Sequence, residues 1–410
     1  MVYKTLKTVA YEAHNDIKTI QSEYDRRQQN YGVFKTGLFP YLKKGRALAE
    51  DSREMFLIPL REIAISSERI EYNSAEIKSL MAQLPAQAQQ LYIDNKLALE
   101  LLKTNQLAGL KTSQPEITIA MAQADTKSFQ QVRFAPMARM YRRLVRKDYQ
   151  RIESLVDIRK IYDQLLVGLI DSQQLPDGAF FRAGQTTVLD KNRDSAYELP
   201  ADENGLENRL QHWLQFISNK NIPFMIKGLL AHAYLINIRP FYDGNLRTAR
   251  YMLTSYLARK LDIITALSLA SAISDDQEKF QKALSAVDDY RNYAEGSFFV
   301  LDMLSMIEEK QQLLLEELSA SCQTFQLKNE KIRQQHATAA TDYYVLNTLL
   351  QSGLFAADIE QGLLDRDILS QAKNFGLSKR AVGLALKDLT NRQLIQLVKK
   401  NPMQHVFDLN

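Results

Sequence analysis

The stretch Ile238-Arg239-Pro240-Phe241-Tyr242-Asp243-Gly244-Asn245-Leu246-Arg247-Thr248-Ala249-Arg250 lies between two segments that have the pattern of helices. Residues 224–236 before it have an apolar face and no helix breaker, and residues 248–257 after it predict a second helix. Pro240 and the run Asp243-Gly244-Asn245 are typical of a tight turn, because these residues favour turn conformations and bond to nearby backbone groups. The sequence therefore predicts a helix–turn–helix corner with Gly and Asn at the start of the second helix.

This corner has the residue types of an anion-binding site. A helix N terminus offers unpaired backbone N–H groups and the positive end of the helix dipole. Arg247 and Arg250 are three residues apart, which places them on one helix face. Two guanidinium groups beside such a terminus indicate a polyphosphate, and Asp243 is placed to hold Mg²⁺ on it. The alternative is a plain corner whose Asp and Asn cap the helix and whose arginines are solvated.

The same stretch resembles the signature of the Fic (Fido-fold) family, His-x-Phe-x-Asp/Glu-Gly-Asn-Gly/Lys-Arg-x-x-Arg. Two positions differ, since Arg239 stands in place of the family's catalytic His and Leu246 in place of Gly or Lys. The resemblance covers roughly residues 55–310. It implies a mainly α Fido-fold core with a small β-hairpin flap, and a site that transfers AMP from ATP to a protein hydroxyl with Mg²⁺. Six positions match in type and spacing: Phe241, Asp243, Gly244, Asn245, Arg247 and Arg250.

The position of the missing histidine decides how much of the family's chemistry to expect. In the family this His is the general base that takes the proton of the target hydroxyl. Arginine stays protonated near pH 7, so Arg239 cannot take that role. Leu246 puts a side chain where the family's Gly lets the backbone approach the phosphates. His232 lies two helical turns upstream, about 10 Å away, which is too far for simple substitution.

A second resemblance to the family lies upstream, at about residues 60–75. The run Ser67-Glu68-Arg69-Ile70-Glu71 matches the Ser/Thr-x-x-x-Glu pattern of the family's autoinhibitory helix, although Tyr72 replaces the usual Gly. The resemblance implies that Ser67 and Glu71 belong to an inhibitory motif. Glu71 would then form a buried, charge-assisted pair with Arg250 and block the γ-phosphate site. The alternative is an ordinary polar helix face with Glu71 in solvent.

The segment from Pro176 to Leu189 resembles the Pro-Gly-x-x-Arg lead-in to the family's β-hairpin flap. Its last four residues, Thr186, Thr187, Val188 and Leu189, have the composition of a strand. Glu198-Leu199-Pro200 resembles the segment that closes the flap. In the family the flap docks a target protein by strand addition, which implies a protein partner here.

Residues 341–410 have the pattern of a compact second unit that resembles a winged helix-turn-helix. Ser378 is placed to cap a third helix over residues 379–391, and two strand-like runs flank the basic turn Lys399-Lys400-Asn401-Pro402. The predicted DNA-binding residues are Lys379, Arg380 and Lys387 on that helix, for a DNA groove, and Lys399 and Lys400 on the wing, for phosphate. The alternative is a protein-docking or dimerisation module, which would make the chain a homodimer.

Composition sets the wider frame. Of the 410 residues, 45% are apolar and 24% are charged, which is typical of a globular protein. A single cysteine excludes an internal disulfide framework and fits a reducing compartment. Neither a signal-peptide pattern nor an apolar run of membrane-spanning length is present, so we expect a cytoplasmic protein with no membrane contact.

The sequence predicts four regions. They are an N-terminal helical region over 1–110 that holds the inhibitory helix, a Fic core over 111–310, a helical connector over 311–340 and the winged helix over 341–410. Within the core, residues 111–135 favour a loop or insertion.

Three functions stay open at this point. The first is a degenerate Fic protein, which binds a nucleotide without efficient AMP transfer and regulates through a DNA-binding winged helix. The second is an adenylyltransferase or deAMPylase with residual activity, using ATP and Mg²⁺ and inhibited through Glu71. The third is an inert scaffold for protein interactions.

Overall fold

The computed structural model describes residues 3–189, 196–335, 339–356 and 362–407, and in these ranges the chain is mainly helical. The helices, in chain order, are α1 Leu6–Glu12, α2 Ile17–Gln28, α3 Arg61–Ala82, α4 Ala86–Leu107, α5 Gln114–Gln123, α6 Ala135–Val145, α7 Leu155–Leu165, α8 Glu203–Ser218, α9 Phe224–Ile238, α10 Asn245–Lys260, α11 Ile263–Ala266, α12 Leu269–Asp275, α13 Gln277–Asp288, α14 Ser297–Gln335, α15 Ala340–Phe355, α16 Asp365–Gln371 and α17 Lys379–Asn391.

The strands are short and all pair antiparallel. They are β1 Phe34–Lys35, β2 Lys43–Lys44, β3 Ala47–Leu48, β4 Phe56–Leu57, β5 Thr186–Leu189, β6 Ala196–Leu199, β7 Leu363–Leu364, β8 Ile395–Lys400 and β9 Met403–Phe407. The β5–β6 hairpin contains the predicted flap strand with the predicted bounds. The β1–β4 and β2–β3 pairs lie in the N-terminal region, outside the predicted core of residues 111–310. Strands of two residues are too short to show an alternating pattern.

The chain divides into two compact units. One consists of Met1–Ser74 with Leu99–Gln311, and the other of Ala75–Ala98 with Gln312–Asn410. The four domain limits given by the sequence stay predictions. Within the described residues, no helix combines the length and the apolar character needed to cross a membrane.

The centre of the first unit is α9. From Met225 to Ile238 every residue of this helix except Lys227 is buried, as expected for a helix that is apolar on all sides. It packs against α8, α10 and α13. The indole N–H of Trp213 on α8 donates to the carbonyl of Ala231, which fixes the two helices at that level.

The loop or insertion expected over residues 111–135 is wrong, because this segment contains α5 and a short 3₁₀ turn. The helix begins with a capping box in which the carboxylate of Glu116 accepts from the backbone N–H of Ser113 at 2.9 Å. Pro115 follows in the first turn, where its missing N–H costs nothing.

The second unit ends in three helices and a three-stranded sheet with the order β7-β9-β8. The hydroxyl of Ser378 caps α17 by accepting from the N–H of Ala381, as predicted. Val382, Leu386 and Leu389 form the buried face of α17. Nδ1 of buried His405 on β9 lies 2.6 Å from Oδ1 of Asp365, which joins the hairpin to α16. The helix, helix and hairpin pattern expected over 341–410 is present in the described residues.

Candidate functional site

The turn between α9 and α10 is closed by one side chain. The amide of Asn245 accepts from the backbone N–H of Phe241 at 3.0 Å and donates to the carbonyl of the same residue at 2.7 Å. These two hydrogen bonds satisfy the buried backbone N–H and C=O of Phe241, which have no sheet or helix partner in the turn. Asn245 is among the residues predicted to bind phosphate, which stays a prediction, and its side chain lies within the turn.

Gly244 is the residue that this turn requires. Its φ of +81° lies in the left-handed region, and an added Cβ would come within 2.3 Å of a methyl group of Leu166 and 3.1 Å of the ring of Tyr162. The ring of Tyr162 also stacks on Phe241 with the centroids 3.8 Å apart. Side chains of and next to α7 therefore cover the turn, and α10 begins without a side-chain cap.

Arg247 is a buried guanidinium with incomplete pairing. Its side chain is 1% exposed, and Nη2 donates to Oδ2 of Asp243 at 3.1 Å. Burial lowers the pKa of Arg247. Within the described part of the chain, Nε and Nη1 have no hydrogen-bond partner. Unpaired donors on a buried cation are costly, so this arrangement favours an anionic ligand.

Arg250 is held by α4. It too is 1% exposed, and Nη1 donates to the carbonyl of Thr104 at 3.1 Å. Burial lowers its pKa, and the charge of Glu100 on α4 acts in the opposite direction. Glu100 accepts from the backbone N–H of Ala270 at 2.7 Å, and burial raises its pKa to about 7.

The predicted pair between Glu71 and Arg250 is therefore wrong. Glu71 is exposed and Ser67 is half-buried, while Ile63, Ile70 and Ser74 form the buried side of α3. A residue that directly follows Ile70 is rotated by about 100° around the helix, which turns Glu71 away from that side. The sequence does hold a signal for Glu100, since it is one carboxylate within the apolar run Leu97-Ala98-Leu99-Glu100-Leu101-Leu102.

Arg239 ends α9 in a left-handed conformation with φ +46°, and it is half-buried. Its charge acts on Asp288. Oδ1 of Asp288 accepts from the amide of Asn237 at 2.7 Å. Burial raises the pKa of Asp288 to about 6, although Asn237, Arg239 and Lys43 act to lower it. Arg239 thus interacts electrostatically with the carboxyl group of Asp288. Leu246, the other departure, is half-buried.

Arg182 connects this position to the flap, a role that the sequence did not reveal. Its buried guanidinium donates from Nε to the carbonyl of Arg239 at 2.9 Å and from Nη1 to those of Gly184 and Pro200 at 2.8 and 2.7 Å. Arg182 is the arginine of the Pro-Gly-x-x-Arg lead-in. It fixes both ends of the hairpin to the backbone of Arg239.

The flap hairpin alternates as a half-buried pair of strands should. Thr186 pairs with Leu199 and Val188 with Tyr197. The side chains of Val188, Tyr197 and Leu199 are buried, and Thr187 and Glu198 are exposed. The side chain of Leu189 lies outside the described residues.

The five cations predicted to bind DNA, in the second unit, are all exposed: Lys379, Arg380, Lys387, Lys399 and Lys400.

Comparisons with known proteins agree with this geometry. Residues 153–257 match the Fic/DOC family. A solved Fic family protein from Desulfovibrio desulfuricans G20 shares the fold with a TM-score of 0.50 and 16% identity, covering 85% of this chain and 97% of that one. Fic-1 from C. elegans has a TM-score of 0.43 and 18% identity, and the alignment covers 63% of this chain and 74% of that one. A Fic domain containing signaling protein from Bacteroides thetaiotaomicron has a TM-score of 0.41 and 17% identity, and the alignment covers 62% of this chain and 97% of that one.

Residues 153–257 therefore match a Fic/DOC family domain, and the mainly helical architecture of the described residues is that of the Fido fold. The turn between α9 and α10, all of α9 and the part of α10 up to residue 257 lie inside the matched segment.

We expect Glu100→Gln to change how stability depends on pH. The carboxyl pKa is raised from 4.5 to about 7 on folding, so the folded protein holds this proton more tightly. The contribution of the Glu100 carboxyl group to stability is greatest at low pH, and it is lost as the pH rises from 4.5 to about 7. The free energy of unfolding of the variant minus that of the parent should rise by about 3 kcal/mol between the two pKa values.

Denaturant titrations across the pH range measure this difference. Glu71→Gln removes a carboxyl group at an exposed position of α3 and is the matched control. A flat profile for Glu100→Gln would show that Glu100 is not the buried acid beside Arg250.

Proposed function

We propose that the Fic domain binds the polyphosphate of a nucleotide at the N terminus of α10 and is impaired in AMP transfer. The observation that carries the proposal is the buried guanidinium of Arg247, with two unpaired donors beside a helix that starts without a side-chain cap. Phosphate oxygens satisfy such donors through charge-assisted hydrogen bonds. The helix dipole and the first backbone N–H groups act in the same direction.

Asp243 fits the role of a Mg²⁺ ligand. Its side chain is 52% exposed at the mouth of the turn, next to the guanidinium of Arg247. Mg²⁺ in nucleotide sites is commonly held by one or two carboxylates together with phosphate oxygens. When bound, the ion neutralises phosphate charge, and Asp243 orients it relative to Arg247.

The same contacts restrict the site. Both signature arginines are nearly inaccessible, and Tyr162 and Leu166 pack over Gly244. A ligand must displace these covering side chains, so we expect modest affinity.

The impairment follows from the residue that replaces the family's base. Attack on the α-phosphate needs a group that accepts the proton of the incoming hydroxyl. Arg239 is a permanent cation and cannot accept it. Its guanidinium, beside Asp288, serves instead as a fixed positive charge near the phosphate site.

Residual AMP transfer to a protein is a second candidate, favoured by Asp288. Its carboxyl group has a pKa of about 6 and lies near Arg239. A carboxylate with that pKa is a suitable general base near neutral pH. Under this alternative Asp288 accepts the proton that the histidine accepts in the family, and the target protein docks on β5.

A calorimetric titration of ATP with Mg²⁺ tests the binding proposal. We expect saturable binding by the parent and a loss of about 10-fold to 100-fold in Arg247→Ala, the range given by removing hydrogen bonds to a charged group. Lys260→Ala, at the exposed end of the same helix, is the matched control and should bind like the parent. Asp243→Asn should lose the Mg²⁺ dependence. Equal binding by Arg247→Ala and the parent would contradict the proposal.

Arg239→His tests the impairment. A histidine is neutral in part near pH 7, so this variant should label itself with the AMP group of ATP while the parent does not. Arg239→His combined with Arg247→Ala should be silent. If the parent transfers AMP as fast as Arg239→His, the impairment is excluded. Loss of that parent activity in Asp288→Asn would then assign the base to Asp288.

We further propose that residues 341–410 bind DNA. Arg380, Leu384 and Lys387 lie on one exposed face of α17, and Lys399 and Lys400 end β8 before the turn of the hairpin. A basic helix with an apolar residue among its cations suits a DNA groove, and cations on the hairpin suit phosphate.

Affinity for duplex DNA at several salt concentrations tests this second proposal. Each phosphate contact contributes about 0.9 to the slope of log affinity against log salt. We therefore expect Lys399→Ala with Lys400→Ala to reduce the slope by about 2. Lys331→Ala with Lys373→Ala removes two exposed charges elsewhere in the unit and should leave the slope unchanged. Absence of DNA binding at low salt, together with dimer formation in sedimentation, would favour a dimerisation module.

A further inference from the structure

The first unit contains a cavity that the proposed function does not use. Its volume is about 360 Å³, and it lies between α8, α9, α10 and the segment Tyr149–Glu153 that precedes α7. On α10 its lining includes Ala249, Met252 and Tyr256, whereas Arg247 and Arg250 are not among the lining residues. The cavity is therefore separate from the phosphate site, and its volume lies within the range of small-molecule sites.

Most of the wall is apolar. Trp213 and Ile217 from α8, Leu235 from α9, and Met252 and Leu253 from α10 contribute large side chains. Such a wall favours a flat or compact hydrophobic body, because burial of apolar surface is the main attraction available to it.

A neutral histidine supplies a specific polar group. His232 is 2% exposed, and its Nδ1 lies 3.1 Å from the carbonyl of Ala249, so Nδ1 carries the proton. Burial and the charge of Arg250 lower the pKa of His232 to about 3, which keeps the ring neutral. Nε2 is then a hydrogen-bond acceptor, and among the described residues it has no partner.

Two further lining residues have unpaired buried polar atoms. They are the hydroxyl of Tyr256 and the amide oxygen of Gln150, neither of which has a partner in the described part of the chain. An unpaired buried polar group costs stability, and a ligand that carries a donor would recover that cost at Nε2 or at Gln150 once the side chains that cover these buried atoms shift.

The polar residues of the lining carry an excess of positive charge. Arg151, Lys227 and Arg259 line the cavity together with one acidic residue, Glu153, which pairs with Arg151 at 3.7 Å. Burial and the nearby cations Lys260 and Arg259 lower the pKa of Lys227. Nζ of Lys227 donates to the carbonyl of Asn219, and an anion near Lys227 would relieve the repulsion that Arg259 and Lys260 exert on it.

We propose that this cavity binds a small aromatic carboxylate that bears a hydroxyl or N–H donor on its ring. The ring packs against Trp213 and the aliphatic wall, the donor bonds to Nε2 of His232, and the carboxylate meets Lys227 and Arg259. The inference is independent of nucleotide binding at α10.

Trp213 is the only tryptophan of the chain and lies in the wall, so its fluorescence reports on the cavity directly. The probe is 4-hydroxyphenylacetate, compared with 4-methylphenylacetate, which lacks the donor, and 4-methylphenol, which lacks the carboxylate. We expect a saturable change with the first probe and an affinity about tenfold weaker with each of the others, the worth of one hydrogen bond or one ion pair.

Two variants assign the contacts. His232→Leu should bind the hydroxyl and methyl probes equally, because the acceptor is gone while the apolar wall remains. Lys227→Met should likewise lose the preference for the carboxylate. His212→Leu, at an exposed histidine of α8, is the matched control and should keep both preferences.

The proposal is overturned if none of the probes gives a saturable change in Trp213 fluorescence. It is also overturned if folded His232→Leu keeps the tenfold preference for the hydroxyl probe. A third variant, Ala231→Phe, places a ring in the cavity and should abolish binding of all three probes.

Discussion

The buried carboxyl group of Glu100 is the point on which the helices around the site depend. It accepts from the backbone N–H of Ala270 at the start of α12 and from the hydroxyl of Thr254 on α10, and it lies near the guanidinium of Arg250. One side chain of α4 therefore joins three helices. Burial alone would make such a carboxylate costly, and the donors and the cation around it offset much of that cost.

The surroundings of Glu100 give Arg250, the second arginine of the signature, a structural role. Arg250 donates to the carbonyl of Thr104 and interacts electrostatically with Glu100, so it is part of the internal structure as well as a candidate phosphate ligand. Arg247 differs in degree, because its partner is the half-exposed Asp243 and two of its nitrogens lack a partner in the described residues, whereas Arg250 has one such nitrogen, Nε. Of the two arginines, Arg247 has the greater need of an anion, which is why the binding argument rests on it.

The features that were predicted correctly depend on local sequence. The turn at 240–244, the strand at 186–189 and the Ser378 cap each follow from residues adjacent in the chain. The α5 helix was missed although its signal, Ser113 with Glu116 and Pro115, is equally local. The β1–β4 pair brings together residues about twenty positions apart through strands of two residues, and no pattern of that length identifies a partner.

The site itself was only partly predictable, because its partners come from distant segments. The glutamate at the family's expected spacing is exposed, and the acid near Arg250 comes from the next helix of the chain. The signature fixes which side chains α10 presents. It contains no information on which neighbouring helix supplies the opposite charge, since that depends on how α4 packs in three dimensions.

The α10 helix also explains how two different environments occur so close together. Residues 247, 250 and 254 recur at helical spacing and lie on the side of the Glu100 network, while 249, 252 and 256 line the cavity. The charge of Arg250 nevertheless acts on both, because it lowers the pKa of His232. Burial is the main cause of that lowered pKa, and a protonated His232 would also place a second buried cation near Arg250, so both effects keep the imidazole of the cavity neutral. The hydrogen-bond acceptor in the cavity therefore depends on the burial of His232 and, to a smaller extent, on the arginine of the neighbouring site.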